Sequence, residues 1–523
     1  MSAAARLISG SVASWAQIAV NIVAQIILVP IYLNYWSVQT YGIWLAIQGI
    51  MSALSMLDLG HQNFMGYEFL RIGRQNLPTL SKYFASAVII GILISIVQVL
   101  LTLVFMYTGI LPFLLGESGS ENATLITSAG VALVLQALLW LLLVTVSGLM
   151  VRLLAAFGYF PRTAWWGFLY AIITALAPLI AVVLGADLLT ASLALTGTCF
   201  IYGIFLYIDL FRAMKRERIR ILKPSLPLGY SNFRKSLPLL GKSLFENVRQ
   251  QGVRLVLAPI AGPAALAAFA TMRTGANVAL QGLNTIVNPI LPDLMRFLHD
   301  RDQPRSEAAF STIWIVVVAV MAPGVVILQL VMEPFFVFWT QGKIPFDPLL
   351  FAALSVGVLV YAVIQPAMAV VIGNNLAKLQ LGLAAIGALI VFGVLILSVP
   401  VIGILGAAVA LLLAEIAAAV GYKIYAKRWL RSQQLEWPSR PFRLAVTSVA
   451  ISAVALLGLV FKPEFKWAVL AVAMLLFAWN FWRYWLVLPS VALESAKNII
   501  KKIPGLKRMV FYLRREFKLK LCL

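Results

Sequence analysis

The sequence is poor in the residues that build disulfides, metal centres and most hydrolytic sites. Its 523 residues include only 2 cysteines, Cys199 and Cys522, and 2 histidines, His61 and His299. Both pairs are far apart in sequence, so we expect no structural disulfide and no metal site of the usual ligand spacing. Walker-type phosphate loops, nucleophile elbows and paired carboxylates are also missing. We therefore expect a protein without a catalytic site, a cofactor or a metal.

Charged residues are scarce as well, at 11% of the chain, while hydrophobic residues make up 62%. A soluble globular domain is about a quarter charged and about half apolar. Apolar runs of roughly 20 residues recur from end to end, and each is long enough to cross the hydrocarbon core of a bilayer. The sequence therefore predicts an all-α polytopic membrane protein.

Hydropathy predicts about fourteen membrane spans. Their predicted bounds are 9–33, 41–60, 82–107, 123–150, 163–184, 190–210, 239–261, 264–290, 309–332, 349–372, 378–398, 401–425, 443–461 and 466–488. The N-terminus, every second loop and the C-terminal tail together hold 33 Lys and Arg residues, whereas the opposite loops hold 3. Because basic loops stay in the cytoplasm, we expect both termini to be cytoplasmic.

Lys and Arg outnumber Asp and Glu by 41 to 19, which gives a net charge of +22. The sequence has no helix-turn-helix, zinc-finger or aromatic RNA-binding motif, so we expect no nucleic-acid partner. Basic cytoplasmic loops and a basic amphipathic tail predict contact with anionic membrane lipids instead.

The densest basic connection divides the spans into two groups of six. We expect an N-terminal lobe at 1–210, a cytoplasmic linker at 211–236 and a C-terminal lobe at 237–425. Two appended helices at 426–488 and the tail at 489–523 follow. The segments ILVPI and VLAPI lie near the ends of spans one and seven. Such an echo is typical of transporters built from two pseudo-symmetric repeats.

Polar residues in three spans repeat with the period of a helix, so each set lies on one helical face. The sets are Ser14, Gln17, Asn21 and Gln25 in span one; Trp44, Gln48, Ser52, Ser55 and Asp58 in span two; and Arg273, Asn277, Gln281, Asn284 and Asn288 in span eight. A single Asn or Gln usually joins two packed helices. Whole polar faces are better satisfied by water, and we predict a hydrated cavity between the lobes.

The stretch GKSLFENVRQQGVRLVLAP places four charged residues at or inside span seven. They are Lys242, Glu246, Arg249 and Arg254. Lys242 and Arg249 fit two interpretations, either as cavity-lining cations or as interfacial side chains neutralised by Glu246. Arg254, like Arg273 in span eight, lies deeper in apolar sequence without an acidic residue nearby, which indicates a function.

Three acidic residues are candidates for ion pairing or for coupling transport to an ion. They are Asp58, Glu246 and Glu415. We expect Asp58, in the sequence LDLG, to sit at a helix end as a cap or as the partner of a basic group. Glu415, in span twelve, is either the buried partner of a cation or a titrating group.

Three motifs near the N-terminus carry a family resemblance. They are Pro30 at the end of span one, YGIW at 41–44 and LDLG at 57–60. With them, the region resembles bacterial polysaccharide flippases, the polysaccharide-transporter branch of the multidrug/oligosaccharidyl-lipid/polysaccharide (MOP) exporter superfamily. The resemblance implies a fold like that of the multidrug/toxin extruders (MATE) of the same superfamily.

This resemblance implies a flippase for polyprenyl-diphosphate-linked oligosaccharides, such as O-antigen or exopolysaccharide repeat units, in a bacterial inner membrane. It also implies alternating access, a Na⁺ or H⁺ gradient as energy source, and a polysaccharide polymerase and other assembly proteins as partners. Arg254, Arg273, Arg249 and Lys242 would bind the diphosphate, because guanidinium and ammonium groups donate charge-assisted hydrogen bonds. The Asn and Gln rows would bind sugar hydroxyls.

Other functions fit less well. A multidrug/toxin extruder has the same build, but organic cations favour acidic cavity walls. A lipid II flippase would share the cationic cavity and is separated only by its family pattern. A membrane glycosyltransferase or ligase would need a large outward loop with catalytic acids, and the outward loops are short. A scaffold would leave the polar faces unexplained. We therefore predict a transporter, not an enzyme.

Overall fold

The computed structural model of the chain describes residues 3–116, 123–374 and 376–489. Within these helices the side chains are not described at 3–8, 10–11, 242, 246, 248–251, 278–279, 281–293 and 377. Every regular element in the described residues is helical, as predicted. The amphipathic segment predicted for the tail lies outside the described residues.

Seventeen α-helices make up the described chain. The first eight are α1 (Ala3–Tyr35), α2 (Val38–Ile72), α3 (Leu77–Tyr107), α4 (Ile110–Leu115), α5 (Ala123–Leu139), α6 (Thr145–Ala155), α7 (Phe160–Val183) and α8 (Leu188–Arg216). The others are α9 (Leu226–Ala261), α10 (Pro263–His299), α11 (Gln303–Val316), α12 (Ala322–Trp339), α13 (Pro348–Gly373), α14 (Ala377–Ile402), α15 (Leu405–Ser432), α16 (Ser439–Phe461) and α17 (Lys466–Val487). Five-residue π-helical turns, Trp140–Val144 and Val317–Met321, join α5 to α6 and α11 to α12.

Each predicted span corresponds to one helical segment, because each π turn continues its helix. Twelve segments of the described chain are long and apolar enough to cross a membrane. The other two are α9 and α10, which correspond to predicted spans seven and eight and whose side chains are described only in part.

Side-chain caps determine where several helices begin. The Ser37 hydroxyl accepts a hydrogen bond from the Thr40 backbone N–H at 3.1 Å and starts α2. The Asp187 carboxylate accepts one from the Thr190 N–H at 2.8 Å and starts α8. These bonds satisfy backbone donors that a helix leaves unpaired in its first turn. The bonds from Thr190 also hold the pKa of the Asp187 carboxyl below its usual value.

The chain falls into two compact units. The first contains Met1–Gln281, Met332–Leu354 and Ala377–Ala418. The second contains Gly282–Val331, Ser355–Leu376 and Ala419–Leu523. These bounds differ from those of the predicted lobes, because α9 packs extensively against α2 and α14 within the first unit. Packing of this kind does not test pseudo-symmetry, and the repeat with its two lobes stays a prediction.

Glycines in α2 allow the close approach of neighbouring helices. A Cβ on Gly60 would lie 2.6 Å from the Cα of Leu240 in α9, and one on Gly42 would overlap the Pro263 carbonyl at the start of α10. A Cβ on Gly49 would come within 3.2 Å of the Arg254 Cβ. Gly49 and Gly60 thus let α9, with Arg254, approach α2 closely, and Gly42 does the same for the start of α10.

The end of α1 is held by the last residue of α12 and by the turn that follows it. Pro30 has no backbone N–H, so the Ile26 carbonyl loses its helical donor. The Trp339 indole N–H donates to that carbonyl at 2.6 Å, and the Lys343 ammonium donates to the Leu33 carbonyl. Both bonds satisfy acceptors that would otherwise be unpaired near a helix end.

The second unit has its own aromatic core. Trp314 is fully buried and packs against Phe310, Trp437 and Phe442 with ring centroids 5.6–5.9 Å apart. The Trp314 indole N–H donates to the Val363 carbonyl at 2.7 Å. Apolar burial together with a satisfied polar atom makes such a core stable.

Candidate functional site

A cavity of about 420 Å³ lies inside the first unit, walled by α1, α2, α5, α7, α8, α9 and α10. Its polar lining consists of Gln25, Gln48, Ser52, Ser55, Gln136, Thr174, Arg254 and Thr274. Its aromatic lining consists of Tyr32, Tyr41, Trp44, Trp140 and Tyr170. None of the described residues that line it is acidic. The volume is in the range of about 300–1,000 Å³ that small-molecule sites occupy.

The predicted polar face of α2 forms one wall. Trp44, Gln48, Ser52 and Ser55 all line the cavity, at the helical spacing found in the sequence. The Ser52 hydroxyl also accepts a hydrogen bond from the Asn247 amide of α9 at 3.0 Å. The face thus both lines the cavity and joins α2 to α9.

An aromatic cluster supports part of the cavity lining. Tyr32 stacks on Trp36 and on Tyr41 with ring centroids 5.1 and 5.8 Å apart. Trp36 meets Trp44 edge-on at 5.9 Å, and its indole N–H donates to the Ala186 carbonyl at 2.9 Å. These contacts fix the ring planes that Tyr32, Tyr41 and Trp44 present to the cavity.

Asp58 lies behind the cavity wall, fully buried, and organises the π turn after α5. Its Oδ2 accepts hydrogen bonds from the Trp140 indole N–H and the Thr145 hydroxyl, both at 3.0 Å. Gln62 donates a third at 2.6 Å. Since Trp140 opens the turn and Thr145 follows it, one carboxylate holds both ends.

The expected position of Asp58 at a helix end is wrong. The helix continues for 14 residues beyond it to Ile72, because His61, Gln62, Met65 and Phe69 are buried and keep this part of α2 packed. The expected pairing with a basic group is indirect. Arg152 donates to the Gln62 carbonyl oxygen at 2.7 Å, and Gln62 in turn donates to Asp58.

Arg254 is the cation of the cavity. Its stem packs over Gly49, and it shares the cavity lining with Tyr41. None of the acidic side chains that the structure describes forms an ion pair with it. The other residues of the cavity lining carry amide, hydroxyl and aromatic groups. A guanidinium with five N–H donors in such a lining can receive an anion.

The structure brings together only part of the predicted site. Gln25, Gln48 and Arg254 line the cavity. Other predicted residues lie in the described helices outside its lining, and these are Ser14, Gln17, Asn21, Arg273, Asn277 and Glu415. Gln17 instead faces Gly167 of α7. The side chains of Lys242, Glu246, Arg249, Gln281 and Asn284 lie outside the described residues, so their roles stay predictions.

Sequence reasoning missed the residues that α5 and α7 contribute, among them Gln136, Trp140 and Tyr170. Trp140 sits in the run LLWLLLV, where hydropathy indicates only a membrane span. The one available signal was Gln136, a polar residue four positions before Trp140 and hence on the same helical face.

A model of the family described as polysaccharide biosynthesis protein matches residues 9–298. This match covers more than half of the chain and includes nearly every residue that lines the cavity. The chain belongs to this family. No curated protein sequence matches the chain significantly.

Solved structures show the same fold at low sequence identity. The lipid II flippase MurJ in an inward closed conformation is 14% identical, with a TM-score of 0.62 over 92% of this chain and 100% of that one. An inward-facing multidrug resistance MATE transporter of the MOP superfamily is 13% identical, with a TM-score of 0.61 over 80% and 95%. A MOP superfamily transporter from Pyrococcus furiosus, whose binding pocket has reversed polarity, is 15% identical, with a TM-score of 0.53 over 82% and 96%.

The expected MOP/MATE-like fold is confirmed by these structures. The chain thus combines membership of the polysaccharide biosynthesis family with the fold of these multi-pass membrane transporters.

Proposed function

We propose that the protein flips polyprenyl-diphosphate-linked oligosaccharides across a bacterial inner membrane by alternating access. The cargo would be a repeat unit of a surface polysaccharide such as O-antigen or exopolysaccharide. The observation that carries this proposal is Arg254, a cation without an acidic partner among the described side chains, in a cavity lined by amides and aromatic rings.

Each part of such a substrate has a matching environment. The diphosphate suits the Arg254 guanidinium, which can donate two parallel hydrogen bonds to phosphate oxygens. The glycan suits Gln25 and Gln48, since each amide offers both a donor and an acceptor. The polyprenyl tail needs no polar site and can stay in the bilayer. Arg273, Arg249 and Lys242 are proposed as further cations along the path.

The polarity of the cavity supports this substrate over the organic cation of a multidrug extruder. Aromatic walls suit both, but a cation also needs a carboxylate, and Asp58 is buried behind the wall under three donors. A lipid II flippase is the second candidate, because its substrate is also a lipid diphosphate and its fold is shared.

Energy input and surroundings belong to the same proposal. We assign the driving force to a Na⁺ or H⁺ gradient, with Asp58, Glu246 and Glu415 as candidate coupling acids. From the basic loops we propose that both termini are cytoplasmic and lie against anionic lipids. A polysaccharide polymerase and other assembly proteins would take up the flipped product.

The experiment is replacement of Arg254 by Ala and by Lys in the native host. Loss of a charged hydrogen-bond donor costs about 1.5–3 kcal/mol, or roughly 10- to 100-fold in affinity, so surface polysaccharide should fall sharply in Arg254→Ala and less in Arg254→Lys. Polysaccharide is measured by gel and immunoblot, with protein level as a check.

The matched control is Arg483→Ala, since Arg483 is exposed, stacks on Trp479 at 4.8 Å and is not among the residues that line the cavity. The control should retain wild-type polysaccharide. Wild-type polysaccharide in Arg254→Ala, at wild-type protein level, would contradict the proposed role of the arginine.

A further inference from the structure

We propose that Trp140 and Gln136 form a subsite for the first sugar of the substrate, the ring attached to the diphosphate. This inference rests on the proposed function and names a part of the cargo that the cavity recognises. It assigns a binding role to residues that the polar faces of the sequence did not indicate.

Trp140 is held in a fixed orientation. Its indole N–H is bonded to the buried Asp58 carboxylate at 3.0 Å, and the π turn that it opens is tied at the other end by Thr145. A π turn is a costly departure from the α-helix and is frequent at functional sites. With its polar atom bound, Trp140 presents only its apolar ring to the cavity.

Gln136, which also lines the cavity, has a donor that is unpaired within the described part of the chain. Gln136 is 8% exposed and lines the cavity. Its Oε1 accepts a bond from Gln48 at 3.4 Å, but its Nε2 has no hydrogen-bond partner among the described residues. A buried donor left unpaired is unfavourable, so this amide gains from a ligand that brings an acceptor.

A sugar ring has the chemistry that matches both Trp140 and Gln136. Gln136 and Trp140 are four residues apart and share one helical face. A pyranose ring has an apolar C–H face that can pack on an indole, and hydroxyl or acetamido oxygens at its edge that can accept from an amide. The pair therefore matches a sugar ring better than a prenyl chain or a bare diphosphate.

The size of the cavity and the presence of Arg254 indicate which ring of the oligosaccharide would occupy the subsite. A volume of about 420 Å³ is near the lower end of small-molecule sites and is small for a whole repeat unit. Arg254 lines the same cavity. With the diphosphate at Arg254, the ring within reach of Trp140 is the one directly bonded to it.

The test compares two probes on purified full-length protein. One is farnesyl diphosphate, and the other is farnesyl diphosphate carrying a single sugar, in N-acetylglucosamine, glucose and galactose versions. Wild-type protein should bind the best sugar-bearing probe about five- to tenfold more tightly than farnesyl diphosphate, as expected for one aromatic contact and one hydrogen bond. Equal affinity for all probes would contradict the subsite.

Variants separate the contribution of the sugar to binding from that of the diphosphate. Trp140→Leu and Gln136→Leu should remove the preference for the sugar-bearing probe and leave farnesyl diphosphate binding unchanged, whereas Trp140→Phe should keep most of it. Trp165→Leu is the control, because Trp165 is an exposed tryptophan of α7 outside the cavity lining. Gln136→Leu nearly keeps the side-chain volume, so it remains informative if Trp140→Leu does not fold.

The sugar subsite and the diphosphate site would be contradicted by different results. Equal loss for both probes in Trp140→Leu and Gln136→Leu, or no loss for either, would overturn the sugar subsite alone. Unchanged binding of both probes by Arg254→Ala would overturn the proposed diphosphate role while the sugar comparison stays readable. Binding of neither probe by wild-type protein would contradict both proposals.

Discussion

A single carboxylate organises the cavity wall at the scale of residues. Oδ2 of Asp58 accepts three hydrogen bonds, and one of their donors, Gln62, accepts in turn from Arg152. A carboxyl group buried in this way is stable only while its hydrogen-bond donors stay in place. In our interpretation Asp58 is a positioning residue, because it contacts Trp140 and not the space where a ligand would lie.

Asp58→Asn tests this role. The amide keeps one acceptor oxygen but loses the charge, so its hold on Trp140 weakens and affinity for the sugar-bearing probe should fall about three- to tenfold. In a Trp140→Leu background the same change should have no further effect. Calorimetric titration of the two single variants and the double variant measures this, and an equal fall in both backgrounds would contradict positioning through Trp140.

At the scale of elements, the fit between α2 and α9 depends on glycine. Gly60 faces the Leu240 backbone, so Gly60→Ala forces the two helices apart. Overpacking of this kind costs about 1–3 kcal/mol and should lower the thermal unfolding midpoint of the purified protein. Gly197→Ala is the control, since its added methyl group meets nothing within 4 Å, and it should leave the midpoint unchanged or raise it. Equal midpoints for the two variants would contradict the packing argument.

The sequence predicted those features that depend on residues within one segment, and it did not predict contacts between distant segments. Span lengths follow from local hydropathy, and all fourteen correspond to helices. The polar face of α2 follows from regular 3.6-residue spacing, and the structure places it in the cavity wall. Trp140 was not predicted, because its neighbours at 138–144 are all apolar and give no contrast by which a cavity-lining residue could be recognised. The bond from Trp339 to Ile26 joins residues 313 positions apart, and no periodic pattern predicts such a pair.

At the scale of the whole molecule, the distribution of charge predicts the orientation in the membrane. Arg220 belongs to the basic linker, and Lys462 to a connection with few basic residues. In a background with Cys199→Ala and Cys522→Ser, Lys462→Cys should react with a membrane-impermeant maleimide in intact spheroplasts. Arg220→Cys should react only after permeabilisation. The reverse pattern would contradict cytoplasmic termini.

A transport assay is the most direct test of the central claim, which is that Arg254 binds the diphosphate while the protein flips the lipid across the membrane. In proteoliposomes with a fluorescent polyprenyl-diphosphate oligosaccharide, quenching from outside measures how fast the lipid changes leaflet. Wild-type protein and Arg483→Ala should flip it at equal rates, and Arg254→Ala should be slower by about tenfold or more. Flipping by Arg254→Ala at the wild-type rate would contradict the mechanism.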